Sequence, residues 1–225
     1  VAKAHEPRST AQDYVPALGF HLLTPLYDPL LRVLLREGVL KQRLVDQAAL
    51  EPSHAVLDVG CGTGTLAILA KRSCPQARVV GLDGDPKVLA IARRKIEAAG
   101  LEVELMERMA YDPALPAASF DRVLTTLVLH HLTTEEKRET LAAIHRLLRP
   151  GGELHIADFG PPDGLYARTV NRLFRHFDGS DRTSDNLDGR LPSLLSDAGF
   201  SDVRETGSAG TPFGTLVYLA ARRER

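Results

Sequence analysis

The 225-residue chain has no tryptophan, two cysteines, two methionines and only 5% aromatic residues. Two cysteines cannot make a disulfide framework. Cys61 lies in a glycine-rich turn and Cys74 at the far end of the helix expected after it, roughly 20 Å away at 1.5 Å per residue, so the two cannot be bridged. Free thiols suit a reducing cytoplasm, which is the expected location. Charge of one sign is also lacking: a formal net charge of -1 gives no global attraction to nucleic acid, which is therefore not an expected partner. No apolar run approaches the ~20 residues of a membrane span, and the first residues, with Lys3, His5, Glu6 and Arg8, lack the apolar core of a signal peptide. Peripheral contact with a membrane stays open through Arg32, Arg36, Lys41 and Arg43 on a leucine-rich segment. Monomer and homodimer both stay open, and no metal site is expected.

What is present describes a globular chain, 44% hydrophobic and 25% charged, long enough for one α/β domain with a cap. Residues 1 to about 15 are polar and aperiodic. Leu22, Leu23, Leu26, Leu30, Leu31, Val33, Leu34 and Leu35 then crowd a segment in which Asp28-Pro29 reads as a helix start, and a second helix is predicted from Lys41 to Ala49. From Ala55 onward strands and helices alternate, which predicts a largely parallel sheet covered on both faces. Strands are predicted at 55–59, 78–83, 102–106, 121–126 and 153–159, with two more near 202–206 and 214–221. Asp85-Pro86 and the capping box Thr133-x-x-Glu136 open two of the helices, and another is expected at about 190–198. Residues 160 to about 188 break the rhythm. Loop-like ends at 160–164 and 178–181 bracket a helix carrying Leu165, Val170, Leu173 and Phe174, placed where an insertion could wall a substrate crevice. The expected organisation is a helical cap or lid over 1–50 and a core over 51–225 with the insertion at about 160–188.

The stretch Val56-Leu57-Asp58-Val59-Gly60-Cys61-Gly62-Thr63-Gly64 is a short buried strand followed by a turn without bulky side chains and then by a helix. Such a turn offers backbone N–H groups and a helix N-terminus to a polar or anionic ligand. A dinucleotide fingerprint would place Gly or Ala where Thr65 stands, so the pyrophosphate reading is weak. Asp83 at the end of the second strand can accept hydrogen bonds from a ribose diol. Asp58, the Gly-x-Gly-x-Gly spacing and Asp83 together resemble the class I S-adenosylmethionine (SAM) methyltransferases, in particular the small-molecule, ubiquinone/menaquinone C-methyltransferase-like branch. The resemblance covers residue 25 to the end. It implies a Rossmann-like seven-stranded, mostly parallel sheet with helices on both faces, the last strand antiparallel.

The same resemblance implies SAM as cofactor, S-adenosylhomocysteine as product, and a set of contacts. Gly60, Cys61, Gly62 and Gly64 with Asp58 would form the cradle, and Asp83 with Gly84 would take the ribose. Met109 and Ala110 fall where the family usually offers an Asp and a backbone N–H to adenine. Met is a departure, because it cannot accept a strong hydrogen bond, and Asp112 is the substitute if the loop is shifted. Thr126 and Leu127 would pass beneath the methionine end. Tyr27, in a Tyr-Asp pair that the family carries before its core, either closes over that end or packs the cap on the core. His130, His131 and Asp158 are the catalytic candidates: a neutral imidazole can take a proton from an acceptor, and the carboxylate sits at the end of the fifth strand. The expected reaction is methyl transfer to a small apolar or amphipathic acceptor, quinone-like or lipid-like. A non-catalytic SAM-binding protein and a nicotinamide-dependent oxidoreductase are the alternatives; the acceptor and the attacked atom stay open.

Overall fold

The computed structural model describes residues 37–166 and 180–225. Tyr27, the predicted lid segment around it, and Val170, Leu173 and Phe174 of the insertion lie outside the described residues. The chain runs through α1 (Glu37–Gln47), β1 (Ala55–Val59), α2 (Thr65–Ser73), β2 (Arg78–Asp83), α3 (Pro86–Ala98), β3 (Glu104–Glu107) and β4 (Phe120–Thr126). A short 3₁₀ turn, Leu129–His131, leads to α4 (Thr134–Leu147), β5 (Leu148–Phe159), α5 (Ser180–Leu187), α6 (Leu191–Asp197), β6 (Ser201–Thr211) and β7 (Gly214–Arg222). The seven strands form one sheet in the order β3-β2-β1-β4-β5-β7-β6. β3 to β5 are mutually parallel, and β7 runs antiparallel to both β5 and β6. The expected seven-stranded Rossmann-like sheet is the one observed.

Alternation along β1 builds two cores at once. Leu57 and Val59 join Val80, Val123, Leu141, Ile144 and Leu154 on one face, beneath α4 and α6. Val56 faces the opposite way with Leu44, Val45, Leu66, Ala70, Leu124 and Tyr218, beneath α1 and α2. Every residue of β1 is buried because both faces are covered. A fully buried leucine such as Leu57 contributes about 1.5–3 kcal/mol.

The helix starts follow the sequence signals. Asp85 accepts from the Lys87 N–H with Pro86 at the first helical position, and Thr133 and Glu136 satisfy each other's backbone as a complete capping box. Several boundaries differ. Strand β3 begins at Glu104, two residues later than predicted, on the open edge of the sheet. Strand β5 begins at Leu148, because Leu148 already pairs with Phe120 and the Pro-Gly-Gly step is absorbed as a register shift inside the strand. Helix α5 occupies part of the expected loop-like end at 178–181: its stabilising contacts are polar and come from elsewhere in the chain, so the local sequence carries no apolar stripe to announce it. Helix α1 starts at Glu37, earlier than expected, and is tied to the sheet by Gln47. The Gln47 amide donates to the Leu219 carbonyl at 3.0 Å and to His155 Nδ1 at 3.1 Å, while its oxygen accepts from the Thr206 hydroxyl at 2.6 Å. His155 is thus a buried, partnered histidine of the core, as its mid-strand position predicts.

Candidate active site

Strand order reverses direction at β1: the chain steps outward to β2 and β3, then returns to lay β4 on the other side. In open α/β sheets a crevice forms at the carboxyl ends of the strands at such a switch point. The turn after β1 is shaped for it. Gly60 and Cys61 donate backbone N–H groups to the Leu82 carbonyl at 2.8 and 2.9 Å, and Gly62 donates to Asp83 Oδ2 at 2.8 Å. At Gly60 a Cβ would stand 2.3 Å from Val128 Cγ2, whereas at Gly62 no described residue beyond its chain neighbours lies within 4 Å of the corresponding point; both have positive φ, +69° and +53°. One glycine admits the neighbouring loop, and the other leaves space for a ligand.

That space is a cavity of 340 Å³, within the range of small-molecule sites. Of the sequence-predicted residues it is lined by Gly60, Cys61, Gly62, Asp83, Gly84, Met109, Ala110, Thr126 and Leu127. Asp83 is half-buried, its Oδ1 accepting from the Asp85 N–H at 3.0 Å, and desolvation raises its pKa against those backbone hydrogen bonds. Burial, then the negative charges of Asp58 and Asp83, push the Cys61 thiol up, so it is neutral and not a nucleophile. Leu127 holds a left-handed backbone at φ 55°, a strain of the kind found at functional sites, with its N–H on the Ala157 carbonyl. Gly64 caps α2 in the left-handed conformation instead of lining the cavity.

Asp58 is wholly buried beneath the turn, and among the described residues neither carboxylate oxygen has a partner at full hydrogen-bond geometry. Desolvation pushes its pKa up to about 7, against the pull of the nearby Lys41. It shapes the floor and does not reach the cavity wall. Asp112 is exposed and is not among the residues lining the cavity; its N–H closes a tight turn on the Met109 carbonyl at 3.1 Å.

The catalytic candidates split. Asp158 is wholly buried. Its Oδ2 accepts from the N–H groups of Val128 and Leu129 at 3.1 and 2.8 Å, and its Oδ1 accepts from the Phe159 N–H at 2.7 Å and faces His130 Nδ1 at 2.7 Å. Desolvation would raise its pKa, but the adjacent His130 and these hydrogen bonds outweigh it and hold it low. The carboxylate therefore stays ionised and fastens the loop after β4, with His130 as its side-chain partner. In the neutral form of the His130 ring, the carboxylate at Nδ1 places the proton there and leaves Nε2 as the accepting nitrogen. His131 stacks against His130 with 3.9 Å between ring centroids. Desolvation of the ring and then the neighbouring His130 lower its pKa to about 4, although the residue keeps substantial exposed surface.

Sequence reasoning missed Glu37, Lys41, Thr63, Val88, Arg108 and Tyr111 on the cavity wall. Glu37 and Lys41 are paired at 2.6 Å, one helical turn apart, and their i, i+4 spacing is the one local signal of that pairing. Nothing local announces that α1 lies against the ends of β4 and β5.

Residues 56–152 match the family model of the methyltransferase domain, and the seven-stranded sheet order is the one that the resemblance to the class I methyltransferases implies. The chain is 40% identical over 145 residues to the demethylmenaquinone methyltransferase of Thermus thermophilus, covering 64% of this chain and 65% of that one. It is 35% identical to the demethylmenaquinone methyltransferase of Deinococcus radiodurans, covering 70% of this chain and 66% of that one. The chain thus spans just under two thirds of the length of these two relatives. Among solved structures, the SAM-dependent methyltransferase SibL superposes with a TM-score of 0.71 at 26% identity, over 92% of this chain and 60% of that one.

Proposed function

We propose that this chain transfers a methyl group from SAM to a quinone-like acceptor in its reduced, hydroquinone form. The observation that supports it most is the 340 Å³ cavity bounded at one end by the Asp83 carboxylate and the open side of Gly62, and at the other by Thr126 and Leu127. A ribose diol fits Asp83, whose oxygens retain lone pairs beyond those used by Gly62 and Asp85. Met109, Ala110 and Val88 offer an apolar slot for adenine, and the Gly60–Gly62 backbone lets the ligand lie close to the turn.

When bound, SAM supplies a methyl group on a sulfonium, ready for in-line displacement. The protein's work is positioning and the exclusion of water, which can supply ~7–11 kcal/mol of the barrier. His130 Nε2 would take the acceptor hydroxyl proton and the ionised Asp158 would balance the imidazolium; the ring carbon that gains the methyl group, as sulfur keeps the C–S bonding pair, would then release its own hydrogen as a proton and restore the aromatic hydroquinone. The quinone-like acceptor is supported by the activity named for the Thermus and Deinococcus relatives.

The test is S-adenosylhomocysteine release from purified protein given SAM and a reduced 1,4-naphthoquinone bearing a short prenyl chain. Release at a rate that depends on the quinol is expected. Turnover only with an amine, thiol or fatty acceptor would overturn the acceptor class, and absence of SAM binding by calorimetry would overturn the reading as a whole.

A further inference from the structure

Helix α5, Ser-Asp-Arg-Thr-Ser-Asp-Asn-Leu, has a single apolar residue, yet it is docked against the loop of the histidine pair and the first turns of α4. Its seat is polar and dry. Lys137, in the first turn of α4, is wholly buried, and Asp185 and Asn186 of α5 are each only 1% exposed. Lys137 Nζ donates to the Arg182 carbonyl and lies 3.3 Å from Asp185 Oδ2, which also accepts from the Thr134 hydroxyl at 2.6 Å. Arg190 stands 3.7 Å from Asp185 Oδ1.

From this seat α5 reaches both sides of the His130–Asp158 pair. The Arg182 guanidinium donates to the His131 carbonyl at 2.8 Å, and the Asn186 amide donates to the Phe159 carbonyl at 3.3 Å. Phe159 follows Asp158 directly and packs its ring edge-on against His130, 4.9 Å between centroids.

Stability alone is a poor reason for this arrangement. Burying a lysine–aspartate pair carries a desolvation penalty, and apolar residues of similar volume often hold a helix as well or better. What an apolar pair lacks is direction: three hydrogen bonds from Thr134 and Lys137 of α4 onto the Asp185 carboxylate and the Arg182 carbonyl of α5 select a single rotation of α5 about its axis.

We propose that Lys137 and Asp185 are positioning residues for methyl transfer: they lock α5 in the one orientation in which Arg182 holds the His131 carbonyl and Asn186 the Phe159 carbonyl, on either side of the His130–Asp158 pair. This rests on the reading of His130 as the group that takes the acceptor proton, and it adds the device that keeps that imidazole in register.

The experiment compares wild-type protein with the double variant Lys137→Met/Asp185→Leu and with Arg182→Gln, an exposed position whose loss leaves the buried pair intact. Three quantities are read: S-adenosylhomocysteine affinity by calorimetry, kcat and KM with the reduced prenyl-naphthoquinone, and the imidazole nitrogen signals of His130 and His131 in long-range proton–nitrogen spectra. Expected are S-adenosylhomocysteine affinity within about twofold of wild type, kcat lower by about tenfold to 100-fold, the size of a small misplacement of reacting groups, and a His130 signal that moves away from the single Nδ1–H tautomer. Wild-type kcat, KM and imidazole signals in a folded double variant would overturn the proposal. Should the double variant not fold, Arg182→Gln decides by the same readouts, and wild-type values there overturn it. A wild-type protein that does not turn over the quinol defeats the acceptor reading instead, and the imidazole signals still decide the positioning proposal.

Discussion

Asp83 and Asp58 show how two carboxylates close to one turn are assigned different work by burial. Asp83 faces the cavity with lone pairs to spare, so Asp83→Ala should weaken S-adenosylhomocysteine binding by about 1.5–3 kcal/mol, the worth of a charged hydrogen-bonding group; calorimetry giving wild-type affinity would remove it from the ribose site. Among the described residues Asp58 has no partner at full hydrogen-bond geometry, and its pKa rises from 3.8 to about 7. Between those values the folded chain keeps a proton that the unfolded chain has lost, so stability falls as pH rises through that window, and the whole penalty, on the order of 4 kcal/mol, is present above pH 7. Asp58→Asn should therefore raise the melting temperature above pH 7 and flatten its dependence between pH 4 and 7. A variant that melts lower than wild type at pH 8 would mean that Lys41 stabilises the ionised form more than burial opposes it.

At the scale of elements, the β1–α2 turn is held from behind and open in front, and its first two glycines separate those tasks. Gly60→Ala drives a methyl into Val128, so it should lower the melting temperature and disturb the cavity wall together. The Cβ of Gly62→Val meets no described residue beyond its chain neighbours; the variant keeps the strain of a side chain at positive φ, about 1–2 kcal/mol, and should abolish S-adenosylhomocysteine binding while the chain still melts cooperatively. Normal binding by a folded Gly62→Val protein would show that the ligand does not lie along this turn. Helix α5 belongs to the same scale: an element with little apolar surface acquires a defined place through a buried ion pair and hands that definition to the loop it touches.

For the whole molecule, any ligand that binds only the folded chain adds to stability by mass action. S-adenosylhomocysteine at 100 times its dissociation constant should add about 2.7 kcal/mol, which for a chain of this size raises the melting temperature by roughly 5–10 °C. A nicotinamide dinucleotide at equal concentration should leave it unchanged. A thermal shift with the dinucleotide and none with S-adenosylhomocysteine would reverse the choice that Thr65 suggested.

The core of the architecture was legible in the chain because it rests on short-range chemistry. Val56–Val59 alternate between two faces, Asp85-Pro86 and Thr133-x-x-Glu136 cap helices with neighbours three residues away or fewer, and three glycines follow a strand. Each is local, and each appears in the structure where the sequence placed it. The resemblance carried by Asp58, the glycines and Asp83 then supplied the antiparallel last strand, which no periodicity predicts. Only the tertiary structure could decide what depends on distant partners. Asp158 reads as a candidate at the end of a strand, and becomes a loop anchor because Val128, Leu129, His130 and Phe159 converge on it. Lys41 reads as a surface cation and comes to rest on the cavity wall. Lys137 shares a helix face with Leu141 and Ile144, and a charge can be buried there because a carboxylate 48 residues further on arrives to meet it. Periodicity reports which face of an element is apolar. Where charges are buried in pairs, the partner is set by the packing of the whole chain.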